Sequence, residues 1–435
     1  MGRGAFLQIS EYSAAHAIVD DRYLPYEAFF MNVAQLREDF PALNRKTDVG
    51  LPVYFDNACV TLRPYSVIRA MNEYYEKFSG CHRRAYHAFA RETASRFERA
   101  RASVAAFLGA TEPSEIIFLR NTTEAINLVA RSFAGSRRPA RVLTTELEHN
   151  SNLIPWMELS RQGLLQLSCF KLADNLTFDK ERFRAALTKG ADLVSIPHKS
   201  HVTGCEYPVR EIADMAHEAG ALLLLDGAQG VSYGKIDVHA LGADFYAFSA
   251  HKMLGPSGFG ALYADKEHQP RLAPLILGGE TVDDVSGGAY SLTEPPYCYE
   301  AGLQNYAGAL GLEAAVDYLA KADPRAIRAH IASLNAMITA GISGIQGLSI
   351  IGPDDPALRS NILNFTAEGI DSVELAEMLD KTARIMVRAG KLCSHAWYNS
   401  SGTPPSVRLS LYFYNTNREA ELFVKTLRNL INHFY

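Results

Sequence analysis

The chain has 435 residues, a formal net charge of −5 at pH 7, 48% hydrophobic residues and 21% charged residues. This balance is typical of a globular protein with a large core and about two or three domains. The negative charge and the lack of any long Lys/Arg run argue against nucleic-acid and anionic-membrane partners, which require a basic face. A small molecule is the expected ligand.

The six cysteines lie far apart and form no C-x-x-C pair. This pattern indicates neither a disulfide framework nor a zinc ribbon, so we expect no metal site and a reducing, cytoplasmic location. No apolar stretch approaches the roughly 18 to 20 residues that a membrane helix requires. The first residues also lack the basic and then apolar order of a signal peptide.

Residues 1–30 show no clear periodicity and are predicted to form an N-terminal extension of unknown role. A second methionine, Met31, follows and precedes a helix-like run over residues 32–40. We assign residues 31–52 to a small domain that the C-terminal part of the chain completes.

From residue 53 to residue 302, short apolar runs alternate with helical patterns, as in a parallel sheet covered by helices. The clearest unit has a strand at 193–197, a helix at 210–219 that Gly220 ends, and a strand at 221–225. The sequence therefore predicts an α/β fold whose large domain spans residues 53–302.

After residue 302 the pattern changes. Long helical patterns at 305–321 and 325–343 are followed by a strand at 406–412 and a final helix near 418–433. This order predicts that residues 303–435, together with 31–52, form a separate small α+β domain.

Polar residues directly follow several of the predicted strands. Ligands of an open parallel sheet bind outside the carboxyl ends of its strands, so these residues are expected to line one site. They are His149, His201, Asp226 and the segment Ser249–Lys252.

Asp226 closes a run of four leucines, where a carboxylate would lose hydration unless it met a cation or a strong donor. A pyridinium nitrogen would be such a partner. A turn or helix-capping aspartate is the plainer alternative for Asp226 alone, and a solvated surface residue is the plainer alternative for Lys252 alone.

Two segments are candidates for binding a phosphate. Ser249 and His251 flank Lys252, and the segment 121–124 opens a predicted helix at 125–133. A helix start offers free N–H groups to an anion, although a plain helix cap would have the same sequence. His149 is either a polar turn residue or an aromatic plate that stacks on a planar cofactor.

Asp226-Gly-Ala-Gln229, followed by Ser249-Ala-His251-Lys252, resembles the class-V aminotransferase family of pyridoxal-phosphate (PLP) enzymes, within the group of type II cysteine desulfurases and selenocysteine lyases. The resemblance extends from about residue 31 to the C-terminus. It implies the type I PLP-dependent transferase fold, a mainly parallel sheet of the seven-stranded type with a small α+β C-terminal domain. The other matching motifs are Tyr54–Ala58, Asn121–Asn127, Glu148–Asn150, Glu300–Gly302, Val387–Cys393 and Val407–Arg408.

The resemblance also implies roles for single residues. Lys252 would be the Schiff-base lysine, Asp226 would pair with the pyridine nitrogen and His149 would stack on the ring. Gln229 would reach the phenolic oxygen. The residues implied for the phosphate are Thr122, Thr123, Ser249 and His251, and those implied for the substrate side are Arg408, Arg388, Arg84, Asn57 and Ala58.

The sequence departs from the family pattern in three places. His201 stands where relatives usually have an asparagine beside the phenolic oxygen, and it is expected to titrate near neutral pH. Leu303 replaces a threonine that reaches the phosphate of the partner subunit. Lys391 and Leu392 precede Cys393 where many desulfurases have histidines; we expect Lys391 and Arg388 to favour the thiolate of Cys393.

The implied function is conversion of L-cysteine to L-alanine, with a persulfide formed on Cys393, in a homodimer. A sulfur-acceptor protein would be a further partner. One alternative is another class-V enzyme in which Cys393 is not catalytic, such as a selenocysteine lyase, C–S β-lyase, epimerase or aminotransferase. A second alternative is a scaffold that has the PLP fold and no turnover.

Overall fold

The computed structural model describes residues 32–83, 85–134 and 138–434. The predicted extension at 1–30 and the predicted substrate residue Arg84 lie outside these ranges. Within them, no helix combines the length and the apolar character that crossing a membrane requires.

Helices and strands alternate through most of the chain. The helices are α1 (Val33–Arg37), α2 (Tyr65–Lys77), α3 (Ala88–Leu108), α4 (Thr122–Ala134), α5 (Ile154–Arg161), α6 (Lys180–Leu187), α7 (Val209–Glu218), α8 (Val238–Leu241), α9 (Tyr306–Ala320), α10 (Pro324–Ile342), α11 (Ser372–Ala383), α12 (His395–Ser401) and α13 (Asn417–Phe434). The strands are β1 (Val53–Tyr54), β2 (Ile116–Leu119), β3 (Ala140–Thr145), β4 (Leu165–Phe170), β5 (Leu193–Pro197), β6 (Leu222–Asp226), β7 (Phe245–Ser249), β8 (Gly260–Ala264), β9 (Val282–Ser286), β10 (Ala289–Leu292), β11 (Leu348–Ile350), β12 (Ile362–Ala367), β13 (Ile385–Met386), β14 (Arg388–Gly390) and β15 (Ser406–Ser410).

The central sheet has seven strands in the order β2-β8-β7-β6-β5-β3-β4. Strands β3 to β7 pair in parallel, and β8 runs antiparallel to both of its neighbours. The predicted α/β class and the mainly parallel sheet of the type I PLP fold are confirmed.

Strand β6 lies in the middle of this sheet because its leucine run can be buried on both faces. The preceding helix α7 buries Ile212, Ala213 and Ala216 on one face. The chain then turns at Gly220, whose positive φ of 76° is readily adopted by glycine. The predicted strand–helix–strand unit is therefore present, and it sets Asp226 at a carboxyl end of the sheet.

A second sheet lies in the C-terminal part of the chain. Its four strands are antiparallel in the order β11-β12-β15-β14. The N-terminal segment packs on this region, since Phe40 contacts Tyr414 at 4.8 Å between ring centroids and Val53 pairs with Ile385. The predicted division into 53–302 and 31–52 with 303–435 agrees with this packing and stays a prediction.

Candidate active site

The predicted site residues gather around one cavity of about 240 Å³ at the carboxyl ends of β3, β5, β6 and β7. Those that line it are Ala58, Thr122, Thr123, His149, His201, Asp226, Gln229, Ser249, His251, Lys252, Arg388, Cys393 and Arg408. The structure thus brings together residues from four strand ends and from the C-terminal sheet.

Asp226 and Lys252 lie after neighbouring strands. Asp226 ends β6, and Lys252 lies in the short 3₁₀ helix Ala250–Lys252 that follows β7. Burial is the main influence on both groups: it raises the pKa of the Asp226 carboxyl and lowers the pKa of the Lys252 ammonium, while the opposite charge of each partner counteracts the shift. A lowered pKa gives Lys252 more of the neutral, nucleophilic amine.

The carboxylate of Asp226 has acceptor capacity to spare. Among the described residues it accepts one hydrogen bond, from the N–H of Ala228 at 3.0 Å. An ionised carboxylate has about four acceptor positions. A buried acid on a cavity wall with unused acceptor positions fits a cationic N–H donor such as a protonated pyridine.

His149 precedes a 3₁₀ helix at Asn150–Asn152, and its Nδ1 accepts a hydrogen bond from the Ser151 N–H at 3.0 Å. Burial, with the positive charges of Lys252 and Arg408, lowers the pKa of His149 to about 3. The imidazole is therefore neutral at physiological pH. A flat neutral ring on the cavity wall suits the predicted stacking on a planar cofactor.

Hydroxyl groups cluster where α4 begins. The N–H of Thr122 donates to Ser249 Oγ at 2.8 Å, and the two side-chain oxygens of this pair are 2.7 Å apart. Thr123 Oγ1 lies 2.7 Å from Ser151 Oγ. Hydroxyls beside a helix N-terminus suit an anion.

The predicted cap of α4 is also present. Asn121 Oδ1 accepts a hydrogen bond from the Glu124 N–H at 3.0 Å. His251 lines the same region, and burial lowers its pKa to about 4, so it faces the cavity as a neutral ring. The amine of Lys252, the acid of Asp226 and the hydroxyls near Thr122 thus have the chemistry to bind the aldehyde, the ring nitrogen and the phosphate of PLP.

Gln229 and Asn57 link the large sheet to the turn after β1. Gln229 lines the cavity and donates to the Ala58 carbonyl at 2.8 Å. Asn57 is not among the lining residues: it donates to the Ser410 carbonyl at 2.7 Å and accepts a hydrogen bond from the Tyr414 hydroxyl. These buried contacts pack Asn57 against the C-terminal sheet, and its role on the substrate side stays a prediction.

Two arginines stand opposite each other on neighbouring strands, Arg388 on β14 and Arg408 on β15. Arg408 is buried and donates to the His201 carbonyl at 2.9 Å. Asp56 lies between the arginines, 3.5 Å from Arg408 Nη2 and 3.8 Å from Arg388 Nη1. This pair of guanidinium groups suits the carboxylate of an amino acid.

Cys393 is half-buried in a tight loop between β14 and α12. The backbone is left-handed at two consecutive residues, with φ of 48° at Leu392 and 60° at Cys393. The Asn150 N–H donates to the Cys393 carbonyl at 2.7 Å, and Ser394 Oγ donates to the Glu148 carbonyl at 3.0 Å. The segment that carries His149 thus holds the loop of Leu392 to Ser394, which we call the cysteine loop. Strained backbone of this kind concentrates at functional sites.

His201 lines the cavity, but the expectation that it titrates near neutral pH is wrong. Its Nε2 lies 2.9 Å from Ser394 Oγ, and its ring contacts His149 edge-on at 4.9 Å between centroids. Burial lowers its pKa well below 6.5, and a hydrogen bond with the Leu392 backbone opposes this only in part. His201 therefore stays neutral and connects the cavity to the cysteine loop.

The expected electrostatic partners of Cys393 make other contacts. Lys391 Nζ donates to Asn399 Oδ1 at 2.6 Å, on the helix that follows. Arg388 Nη1 donates to the sulfur of a different cysteine, Cys59, at 3.5 Å. Their hydrogen bonds thus go to other partners, and the expectation that their charges favour the Cys393 thiolate stays a prediction.

The Glu300–Gly302 motif and Leu303 have separate surroundings. The Glu300 carboxylate forms a two-pronged ion pair with buried Arg101 and accepts a hydrogen bond from the Phe118 N–H at 2.7 Å. Leu303 is 70% exposed and has no donor to offer a phosphate. The glutamate of this motif thus stabilises packing.

Sequence analysis gave no role in the site to several lining residues. They are Cys59, Ser151, Pro197, Lys199 and Ala228. Lys199 is buried, and its ammonium contacts Glu206 at 2.9 Å and Ser360 at 3.0 Å. The available signal is position: Lys199 lies two residues after the end of β5, and Cys59 directly follows the motif that ends at Ala58.

Comparisons with known proteins agree with this geometry. The family model described as aminotransferase class-V matches residues 53–423. A probable cysteine desulfurase of Halalkalibacterium halodurans is 35% identical over 93% of this chain and 99% of its own length. One of Methanothermobacter thermautotrophicus is 36% identical over 92% of this chain and 98% of its own length.

Solved structures show the same similarity. The apo structure of a cysteine desulfurase from Thermococcus onnurineus aligns with a TM-score of 0.87 and 32% identity, over 93% of this chain and 100% of the other. The cysteine desulfurase CsdA of Escherichia coli aligns with a TM-score of 0.83 and 30% identity, over 93% and 99%. The chain belongs to the class-V aminotransferase family.

Proposed function

We propose that this protein is a PLP-dependent cysteine desulfurase, which converts L-cysteine to L-alanine and leaves a persulfide on Cys393. The observation that carries the proposal is that the Cys393 thiol shares one cavity with Lys252, Asp226 and Arg408. Membership of the class-V family and the cysteine desulfurases among the relatives support it.

The cofactor would be held at three points. Lys252 would hold its aldehyde carbon covalently, Asp226 would keep a proton on its ring nitrogen, and the hydroxyls of Thr122, Thr123 and Ser249 would bind its phosphate. When bound, PLP supplies an electron sink for the electrons released at the α carbon of the substrate.

Arg408 would bind the carboxylate of the substrate. It is buried at the end of the cavity, its guanidinium is fixed by the His201 carbonyl, and Arg388 stands beside it in the sheet. The contacts of both arginines with Asp56 are long, at 3.5 and 3.8 Å, and leave donors for a second carboxylate. A bidentate pair at this point orients the amino acid and its side-chain sulfur.

Lys252 would move the protons. Its lowered pKa increases the fraction of neutral amine, the form that can remove the α proton of the substrate. The same nitrogen would return a proton to carbon. His149, which is neutral, would cover the cavity wall without competing for that proton.

Cys393 would take the sulfur. Its thiolate attacks the sulfur of the substrate, so a sulfur–sulfur bond forms and the bond from that sulfur to the β carbon breaks, with its electron pair going to carbon. Protonation of that carbon gives alanine. The hydrogen bonds from Asn150 and Ser394 would keep the loop at the required position.

The test is to incubate purified holoenzyme with L-cysteine and a thiol reductant and to measure sulfide, alanine and pyruvate together. Equal amounts of sulfide and alanine are expected. Sulfide with pyruvate in place of alanine would indicate a β-lyase. If cysteine gives no product while other amino acids react with the bound cofactor, the family assignment would stand and cysteine would not be the substrate.

Further parts of the proposal concern assembly and location. We propose a homodimer, because the large side chains of Tyr86 and Leu303 are 85% and 70% exposed and a partner subunit would cover them. A cytoplasmic location and a sulfur-acceptor protein complete the proposal. Sedimentation at micromolar concentration tests the dimer, and an active monomer would contradict it.

A further inference from the structure

The cavity contains a second thiol besides Cys393. Cys59 is half-buried in the turn that follows β1 and lines the same cavity of about 240 Å³. Among the described residues that line it, these are the two cysteines. The other four cysteines of the chain lie elsewhere.

Cys59 lies on the side of the cavity where the substrate carboxylate is proposed to bind. Arg388 Nη1 donates to its sulfur at 3.5 Å. A thiolate at Cys59 would raise the pKa of buried Arg408, and a thiolate at either Cys59 or Cys393 would raise the pKa of Lys252, so both cysteines lie near the lysine. Cys59 therefore lies near three residues that are proposed to act on the substrate, Arg388, Arg408 and Lys252.

The proposed product of the first step is a persulfide on Cys393. Its terminal sulfur extends beyond Cys393 Sγ by one sulfur–sulfur bond, about 2 Å long. Thiolates attack sulfur–sulfur bonds, and the rate depends on access and on the leaving thiolate. Cys59 carries the other thiol that lines this cavity, and Cys393 itself lines it too.

We propose that Cys59 is a second sulfur carrier of this active site, which accepts the terminal sulfur from the Cys393 persulfide. The thiolate of Cys59 attacks that sulfur; the bond to Cys393 Sγ breaks, and Cys393 leaves as a thiolate. The persulfide proton stays with the transferred sulfur. No oxidant or reductant is consumed, because one persulfide replaces another.

This inference rests on the proposed function, and it has a consequence that can be counted. Once Cys59 has taken the sulfur, Cys393 is free to attack a second cysteine molecule. Each subunit can therefore form two molecules of alanine before any external thiol removes sulfur. With Cys393 as the sole carrier, the number would be one.

The experiment is a rapid-quench burst with holoenzyme and sulfur-labelled L-cysteine in the absence of added reductant. Alanine is counted per subunit, and labelled sulfur is mapped by alkylation and peptide mass spectrometry. For the unaltered protein we expect a burst of two alanines, with label on both Cys59 and Cys393. In Cys59→Ser the burst should fall twofold, to one, with label on Cys393 alone.

Three comparisons make the result decisive. Cys169→Ser, which removes an exposed cysteine outside the cavity, should behave like the unaltered protein. Cys393→Ala should give neither a burst nor label on Cys59. Cys59→Ala repeats the test with a second side chain, and visible absorbance verifies that each variant binds the cofactor.

A burst of one alanine with no label on Cys59 in the unaltered protein would overturn the inference and leave the proposed function intact. Label on Cys59 in Cys393→Ala would also overturn it, since Cys59 would then take sulfur directly from the substrate. If the unaltered protein forms no alanine from cysteine, the proposed function would be wrong, and this inference would fall with it.

Discussion

The two sides of the cavity are built in different ways. On the cofactor side, Asp226 and Lys252 follow neighbouring strands in the middle of the seven-stranded sheet, where surrounding strands fix their positions. On the sulfur side, half-buried Cys393 lies in a loop whose backbone is left-handed at two residues. Proton transfer requires fixed positions, whereas a thiol that must pass sulfur onward requires access.

The two sides meet at a few hydrogen bonds. Ser394 contacts both His201 Nε2 and the Glu148 carbonyl, and the Asn150 N–H holds the Cys393 carbonyl. The sulfur side is thus anchored to residues that follow two strands of the large sheet. If the two sides are functionally distinct, substitutions should affect cofactor binding and sulfur transfer separately.

The largest effect is expected for Lys252→Ala, on the cofactor side. It removes the amine that holds the cofactor and moves the proton, so alanine formation should fall by at least about a thousandfold. The visible absorbance of the lysine-bound cofactor should disappear. If that band persists after dialysis and is lost only on reduction with borohydride, another lysine holds the cofactor, and Lys199 also lines the cavity.

Cys393→Ala should break the sulfur side alone. Persulfide and alanine formation from cysteine should fall by at least about a hundredfold, because a positioned nucleophile is lost. Covalent cofactor binding and exchange of the substrate α proton should persist, as followed by absorbance and by deuterium incorporation. Sulfide release at the unaltered rate would make Cys393 a spectator and the protein a simple lyase.

Acid should destabilise the folded protein through His149 on the cofactor side. The folded-state pKa of His149 is about 3, below the value of about 6.5 for an unfolded chain, so the unfolded state binds more protons in that range. The contribution of His149 to the free energy of unfolding is therefore fully present above about pH 6.5. It is lost as the pH falls towards 3, by up to about 1.4 kcal/mol per pH unit. In urea unfolding of the apoprotein, the free energy of unfolding should change less steeply with pH in His149→Asn than in the unaltered protein. An equal dependence on pH would contradict the lowered pKa of His149.

Ser394→Ala tests the connection between the two sides. It removes contacts to His201 and to the Glu148 carbonyl, which together are expected to contribute about 1 to 2 kcal/mol. We expect the rate of persulfide formation to fall about fivefold while cofactor absorbance stays unchanged. Ser400→Ala, an exposed change on helix α12, is the matched control and should have no effect.

The smallest effect is expected for His201→Asn. Burial keeps the pKa of His201 well below 6.5, so it does not change charge between about pH 6 and pH 7. The absorbance of bound cofactor across that range should therefore be the same in both proteins. A titration that disappears in the variant would show that His201 does exchange a proton beside the cofactor.

Local patterns explain which parts of the site were predictable. Asp226 and Lys252 follow strongly apolar strands, and the rule that such strand ends share one edge of a sheet placed them together. The strand at 193–197 and a helix opened by the segment 121–124 also follow from local sequence, and the structure has both. These features depend on periodicity and on neighbours along the chain.

The remaining features depend on contacts between distant segments. The hydrogen bonds of Asn57 with Ser410 and Tyr414 join residues that are more than 350 positions apart in the chain. The low pKa of His201 arises from burial under the cysteine loop, which periodicity does not reveal. The contact of Arg388 with Cys59 likewise joins β14 to the turn after β1.

The hydrogen bond from Asn150 to Cys393 involves main-chain atoms on both sides, the amide N–H of one residue and the carbonyl of the other. Its energy does not depend on which side chains stand at these positions. Changes of the neighbouring side chains of Lys391 and Leu392 are therefore expected to leave this hydrogen bond in place. Proline at position 150 would be the exception, since it has no amide hydrogen.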